Sequence, residues 1–254
     1  MSGHNKWSKI KRQKGVEDAK KGQLYTKLTR EIILAARQGG GDTESNFRLR
    51  LAVQKARDSS MPKENIERAI ERGSGAGEGS NLEELTLEGY GPNGTAIMVE
   101  TMSDNRNRTV QEVRNVFNKT GGTMGSAGSV AWMFDSKGVI TVDVSEKDNV
   151  DDLELEAIDA GADDVKVQDG TMEIYTKANE LEMVRKNLEQ KKIEMSSAEL
   201  SLIPKTMVET DNKTAIQTLK LLDKLEDLDD VQKVYSNVDF SDEVLRKYED
   251  GETE

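Results

Sequence analysis

Cysteine is absent from the 254-residue chain, which removes disulfide scaffolds, thiol nucleophiles and Cys-ligated zinc or iron–sulfur sites together. Histidine occurs once, as His4, with no carboxylate constellation around it, so a His-centred general base or metal site lacks its partner residues. Long apolar runs are missing too. The longest reach five residues, as in Ile32–Ala36, far short of the roughly 18–20 residues of a bilayer span, and the polar first residues show no signal-peptide core. A cytoplasmic setting without a membrane partner is the expectation. Aromatics make up 4% of the chain, against 35% hydrophobic and 33% charged residues. That mix predicts small cores, and the apolar periodicity along most of the chain argues against wholesale disorder.

The motifs of common enzyme classes are also lacking. There is no Gly-x-x-x-x-Gly-Lys-Ser/Thr phosphate loop, no strand-borne Gly-x-Gly-x-x-Gly and no Gly-x-Ser-x-Gly elbow. Carboxylates abound, as in Asp151-Asp-Leu-Glu-Leu-Glu156 and Asp227-Leu-Asp-Asp230, but no ligand spacing recurs, and solvated helix faces or first turns account for them. A metal-dependent nuclease built on these clusters is the alternative class. The expectation is a protein that is not an enzyme, with no cofactor and no metal.

What is present is charge of two signs, segregated along the chain. The net charge is −12, yet residues 1–75 carry 17 Lys/Arg against 9 Asp/Glu, a net +8, which leaves −20 for residues 76–254. A clustered basic face is what counterion release on a polyanion rewards, whatever the total.

The first fifteen residues read as an extended basic arm. From Val16 to Arg37 the pattern is helical, with Leu24, Leu28, Ile32 and Ala35 in one sector and Lys20, Lys27, Arg30 and Arg37 in the next, a basic sector that Leu34 interrupts. Gly39-Gly-Gly41 ends this helix, and Asp42 or Thr43 is placed to cap a second over 44–58. Pro62 suits the first turn of a third, on Ile66, Ala69 and Ile70. Residues 1–75 thus read as a basic helical domain.

The stretch Gly73–Ser80 reads as a flexible linker, after which strand periodicity takes over. Strands are expected near 84–90 and 95–101, a helix at 106–119, and a strand at 129–134. Residues 137–205 then give strand, helix, two strands, helix and strand, the ferredoxin-like order. A helix at 212–226 and a strand at 231–237 complete the earlier set. The fold class is therefore α+β: a basic helical domain followed by two mixed α/β, ferredoxin-like domains, one inserted in the other. The expected domains are 1–75, 76–136 with 206–240, the insertion 137–205, and an acidic tail 241–254 that is frayed at its end.

Two regions point to nucleic acid. Nine of the first thirty residues are Lys or Arg against two acids. Lys6, Lys9, Lys11, Arg12, Lys14, Lys20, Lys21, Lys27 and Arg30 suit phosphate contacts, and Trp7 among them offers either a stacking face or a core anchor. A solubilising amphipathic helix with a loose tail is the competing reading. The second region is a basic island of Arg106, Arg108, Arg114 and Lys119 running into Gly121-Gly-Thr-Met-Gly-Ser-Ala-Gly-Ser129. Gly121, Gly122, Met124 and Gly125 are the expected close contacts there, with Met124 expected to be exposed. A flexible helix-to-strand connection is the alternative. No segment reads as a helix-turn-helix, and lysine outweighs arginine in the arm, which favours backbone or shape recognition of structured RNA over base reading.

Several of these segments resemble the YebC family. They are Met1-Ser-Gly-His-Asn-Lys-Trp-Ser-Lys-Ile-Lys, Leu24-Tyr-Thr-Lys-Leu-Thr-Arg-Glu-Ile, Ala36-Arg-Gln-Gly-Gly-Gly-Asp42, Met61-Pro-Lys-Glu-Asn-Ile-Glu-Arg-Ala-Ile70, Glu88-Gly-Tyr-Gly-Pro92 and Gly121-Gly-Thr-Met-Gly through Gly-Ser-Val-Ala-Trp132. The resemblance spans essentially the whole chain. It implies three domains, one helical and two α/β, and a non-enzymatic regulator of gene expression. Many members are labelled probable transcriptional regulators, because some bind promoter DNA. Others act on the ribosome to ease stalling at proline-rich stretches, and mitochondrial relatives activate translation of a cytochrome oxidase subunit. The implied partner is thus promoter DNA or ribosomal RNA, with the ribosome itself as a further candidate, and the chain is expected to be a monomer.

Overall fold

A computed structural model describes residues 18–75, 82–145, 149–168 and 170–250. The arm residues Lys6, Trp7, Lys9, Lys11, Arg12 and Lys14 lie outside the described residues, as does the side chain of Lys20. Among the described residues the fold is α+β, with eight helices and two four-stranded sheets. The described residues of Phe134–Ile203 form one compact unit; those before Phe134, together with those from Pro204 onward, form the other.

In the larger unit, helices α1 (Asp18–Gly39), α2 (Phe47–Asp58) and α3 (Lys63–Ser74) make the head. Their apolar stripes meet as the 3.6-residue period requires. Leu28, Ile32, Ala35 and Ala36 of α1 bury against Leu49, Ala52, Val53 and Ala56 of α2 and Ile66 and Ala69 of α3. Asn46, rather than Asp42 or Thr43, caps α2. Its Oδ1 accepts from the Leu49 N–H at 3.1 Å, while its Nδ2 donates to the carbonyls of Ala35 at 2.8 Å and Gly40 at 2.7 Å. Only an amide, with both donor and acceptor, can close the end of one helix and the start of the next in this way. Gly73 does not begin a linker: it lies inside α3, where an added Cβ would stand 2.4 Å from the Ile33 carbonyl oxygen.

The same unit holds an antiparallel sheet in the order β3-β1-β2-β8, from β1 (Glu83–Tyr90), β2 (Ala96–Ser103), β3 (Thr123–Met124) and β8 (Val231–Ser236). Strand β8 joins β2 across more than a hundred residues of chain, with Val234 opposite Val99. Helices α4 (Arg106–Lys119) and α7 (Asn212–Glu226) cover one face, where Val113, Phe117, Leu219, Leu222 and Leu225 bury Ile97, Val99, Val231 and Val234. The expected strand at 129–134 is not part of this sheet. Its place is taken by the two residues of β3, and Ala131–Met133 form a 3-10 turn. The expected acidic tail is structured over α8 (Asp242–Glu249), capped by Ser241 and anchored by buried Val244 and Leu245. Three aliphatic or aromatic residues at helical spacing, Val244, Leu245 and Tyr248, outweigh the acidic composition there.

The smaller unit contains β4 (Phe134–Asp143), α5 (Val150–Asp159), β5 (Asp164–Gln168), β6 (Thr171–Lys177), α6 (Leu181–Gln190) and β7 (Ser197–Pro204), with sheet order β5-β6-β4-β7. That is the ferredoxin-like strand order. Strand β6 pairs antiparallel with both β4 and β5, and Val139, Ile140, Met172, Ile174, Leu181, Val184 and Leu188 are buried in it. No helix among the described residues is long and apolar enough to cross a membrane.

Candidate nucleic-acid interface

The basic sector of α1 has a second occupation. Gln23, Lys27, Arg30, Leu34 and Arg37 follow one another at alternating spacings of four and three, a single stripe on a helix. Lys27 donates to the Glu226 carbonyl, Arg30 to the Asp229 carbonyl, Gln23 to Asp229, and Arg37 to the Leu82 carbonyl. Leu34 is buried. The stripe therefore packs on the turn after α7 and on the start of β1. Lys27 and Arg30, which the sequence pattern suggests as phosphate contacts, are committed to this junction. Leu34, the one apolar interruption of the basic sector, is the sequence signal that this face is not simply solvated.

Asp230 is the centre of the junction. It is 2% exposed and forms salt bridges with Arg30 and Arg108, both at 2.8 Å. Ser103 Oγ and Thr109 Oγ1 donate to it at 2.9 and 2.6 Å. Burial pushes its carboxyl up, but hydrogen bonds from Arg108, Thr109 and Ser103, together with the Arg30 charge, outweigh that and hold it below the ordinary range. Of the basic island, Arg108 is thus bound to Asp230 and to Asp104. Arg106, Arg114 and Lys119 are exposed, without an ion pair among the described residues. On the head, Lys21, Arg57, Lys63, Arg68 and Arg72 are exposed, Lys63 beside Glu67 at 3.4 Å. Arg72 borders a cleft of about 320 Å³ shared with Tyr25, Thr29, Asn65 and Asp104.

The glycine segment after α4 is folded onto the sheet. Met124 pairs with Gly89 in β3 and its side chain is half-buried against the core, so it is not the exposed loop residue expected. Gly122 and Gly125 approach their own chain closely. An added Cβ would lie 2.7 Å from the Tyr90 carbonyl oxygen at Gly122 and 2.3 Å from Ser129 Oγ at Gly125. Gly121 and Gly128 hold φ of +80° and +85°. Packing and turn geometry account for these glycines before any ligand is considered.

What fixes this segment is Glu88, which the sequence pattern does not single out. In β1, Gly89 points at Phe117, so alternation sends Glu88 and Tyr90 to the opposite face. There the Glu88 carboxylate, 7% exposed, accepts N–H groups from Gly128 at 2.6 Å and from Val130 and Ala131, both at 2.8 Å. Burial raises its pKa and the three amides lower it further, leaving it depressed. Tyr90 Oη and Trp132 Nε1 both donate to the Ser129 carbonyl at 3.1 Å. An acidic residue on a strand face otherwise expected to be solvated gives no periodicity signal.

Among the described residues, no three His, Cys, Asp or Glu side chains gather as metal ligands. Of the acidic clusters, Asp227–Asp230 serves the junction instead.

A family model described as the TACO1/YebC protein N-terminal domain matches residues 5–76, and one described as the TACO1/YebC second and third domain matches residues 82–238. The chain belongs to the TACO1/YebC family. A probable transcriptional regulatory protein of Dehalococcoides mccartyi is 56% identical over 248 residues, 98% of each chain. Another of the same description from Herpetosiphon aurantiacus is 53% identical over 248 residues, again 98% of each chain. The crystal structure of a conserved hypothetical protein from Aquifex aeolicus superposes with a TM-score of 0.81 at 45% identity, covering 87% of this chain and 91% of that one. The TACO1/YebC N-terminal match ends two residues beyond α3, and the second begins at Leu82, the residue through which β1 is tied into the head core.

Proposed function

We propose that this protein is a non-enzymatic regulator of gene expression that binds the backbone of structured RNA, on or near the ribosome, through its N-terminal arm and head. The carrying observation is the charge segregation: a net +8 in residues 1–75 against −20 in the rest. Part of that head charge is used against Asp230 and its neighbours. The five cations Lys6, Lys9, Lys11, Arg12 and Lys14, with Lys20 and Lys21 and the exposed Arg57, Arg68 and Arg72, are the groups proposed to meet phosphate. Lysine-rich contacts position a backbone without reading bases. Arg106 and the segment at Gly121–Gly125 belong to the same proposal as a second, smaller contact, with Arg108 holding the junction beneath.

Promoter DNA is a second reading, favoured by the names of the relatives. The two part in one comparison. Co-sedimentation of the purified protein with ribosomes, without preference for a promoter fragment over random duplex, is the result expected here; a clear promoter preference without ribosome association would replace it with transcription control. Ribosome profiling of a deletion strain supplies the cellular side, with stalling at particular codons expected.

Changing Lys6, Lys9, Lys11, Arg12 and Lys14 together to alanine is expected to weaken binding and to flatten its salt dependence. For every phosphate no longer neutralised, the slope of log K against log salt falls in magnitude by about 0.7 to 0.9. Thermal unfolding should be unchanged. An affinity and slope equal to those of the unaltered protein would remove the arm from the interface.

A further inference from the structure

Two aromatic rings converge on one carbonyl oxygen. Trp132 is 64% exposed and Tyr90 38% exposed, and both give their polar hydrogen to the Ser129 carbonyl. The one polar atom of the indole is thereby satisfied within the chain, and what faces outward is the apolar ring. Its support is fixed. Residues 125–131 are clamped from below by the Glu88 carboxylate through three amides, and Gly125 N–H donates to the Glu88 carbonyl at 2.8 Å. An exposed ring on a rigid support loses little conformational entropy when it is covered.

The two rings are not part of a wider apolar surface. Beyond the two rings, Val208 is the one large exposed hydrophobic residue described in this unit. A protein partner docks on a contiguous apolar patch, whereas an isolated aromatic pair on a rigid support matches the requirements of a nucleobase, which is flat and apolar on its faces.

We propose that Trp132, flanked by Tyr90, is a stacking platform for an unpaired base of bound RNA, with Glu88 as the positioning residue that holds the loop beneath it. The proposal rests on the nucleic-acid reading above and specifies its substrate: a single-stranded or looped segment, since a base inside a duplex has both faces covered. The indole is a sequence-tolerant platform, so no base identity is implied.

The test uses the full chain carrying Trp7→Phe, in which Trp132 is the remaining indole. Single-stranded oligoadenylate is compared with duplex RNA of matched length. Quenching of the Trp132 emission by oligoadenylate but not by duplex is expected. Adding Trp132→Ala should weaken oligoadenylate binding about tenfold with the salt slope unchanged, because no charge is altered, and Trp132→Phe should restore most of the affinity. If Trp132→Ala does not fold, Trp132→Phe and the quenching itself carry the test. Unquenched emission with salt-dependent RNA binding intact would overturn the platform and leave the nucleic-acid reading standing. Absence of binding to either RNA would overturn both. Emission that answers to whole ribosomes but not to oligoadenylate would assign the ring to a protein or duplex surface and overturn the stacking proposal.

Discussion

Replacing Asp230 by alanine is expected to lower the unfolding free energy of its unit by about 3–5 kcal/mol, read as a lower urea midpoint. The carboxylate is buried, so the effect is not that of a surface ion pair. Two guanidinium groups, from α1 and α4, share it with two hydroxyls. Without it, Arg108 can turn its charge to solvent, being 44% exposed, but the Arg30 side chain at 18% cannot do so fully. Ser103 Oγ loses its acceptor at the same time, whereas Thr109 Oγ1 still reaches the Asn105 carbonyl at 3.2 Å. Asp230→Asn keeps the volume and one oxygen, so a smaller destabilisation is expected from it. A midpoint unchanged by Asp230→Ala would mean that the head is not held through this carboxylate.

The acid dependence has a definite sign. A carboxyl with a folded pKa below its unfolded value, as at Asp230, contributes stability that is full above the unfolded value of about 3.9. That contribution disappears as pH falls through the folded pKa. Denaturation followed down from pH 5 should therefore steepen below pH 4 in the natural protein and less so in Asp230→Ala.

This junction also marks where a sequence stops being sufficient. A helical wheel of α1 separates an apolar stripe from a basic one, and both are there. It does not say that the basic stripe meets a main-chain turn two hundred residues away, because backbone carbonyls at 226 and 229 carry no sequence signature. Most helices and strands are legible, since their apolar periods are long: Val113 and Phe117 in α4, Leu219 and Leu222 in α7, the alternation in β6. The misplaced elements are short or compositionally masked. Strand β3 has two residues, too few for a period, and α8 lies in an acidic stretch where three well-spaced hydrophobic residues decide the outcome. The glycine segment stands out by its composition. Its geometry depends on Glu88, one acid among many in the chain, and only its burial distinguishes it.

Glu88→Gln is expected to destabilise the segment 125–132 by about 2–3 kcal/mol, close to an isosteric change. One carboxylate oxygen accepts from Gly128 and the other from Val130 and Ala131. An amide has one oxygen and a pair of donors in their place. Whichever way it is turned, at least one buried N–H then faces an NH₂ group, and the charge that strengthened the remaining bonds is gone. Glu88→Ala removes all three acceptors and should cost more. The direct measurement is amide hydrogen exchange at Gly128, Val130 and Ala131, which should lose protection in Glu88→Gln while Val99 and Val234 in the sheet core keep theirs. Because Trp132 is borne by the same segment, its emission should also shift toward that of a freely solvated indole. Unchanged protection at the three amides would show that the loop is held by β3 pairing and the Ser129 hydrogen bonds alone. In that event the rigidity assigned to the aromatic platform would have to come from Tyr90 and the glycine close approaches, rather than from the buried carboxylate.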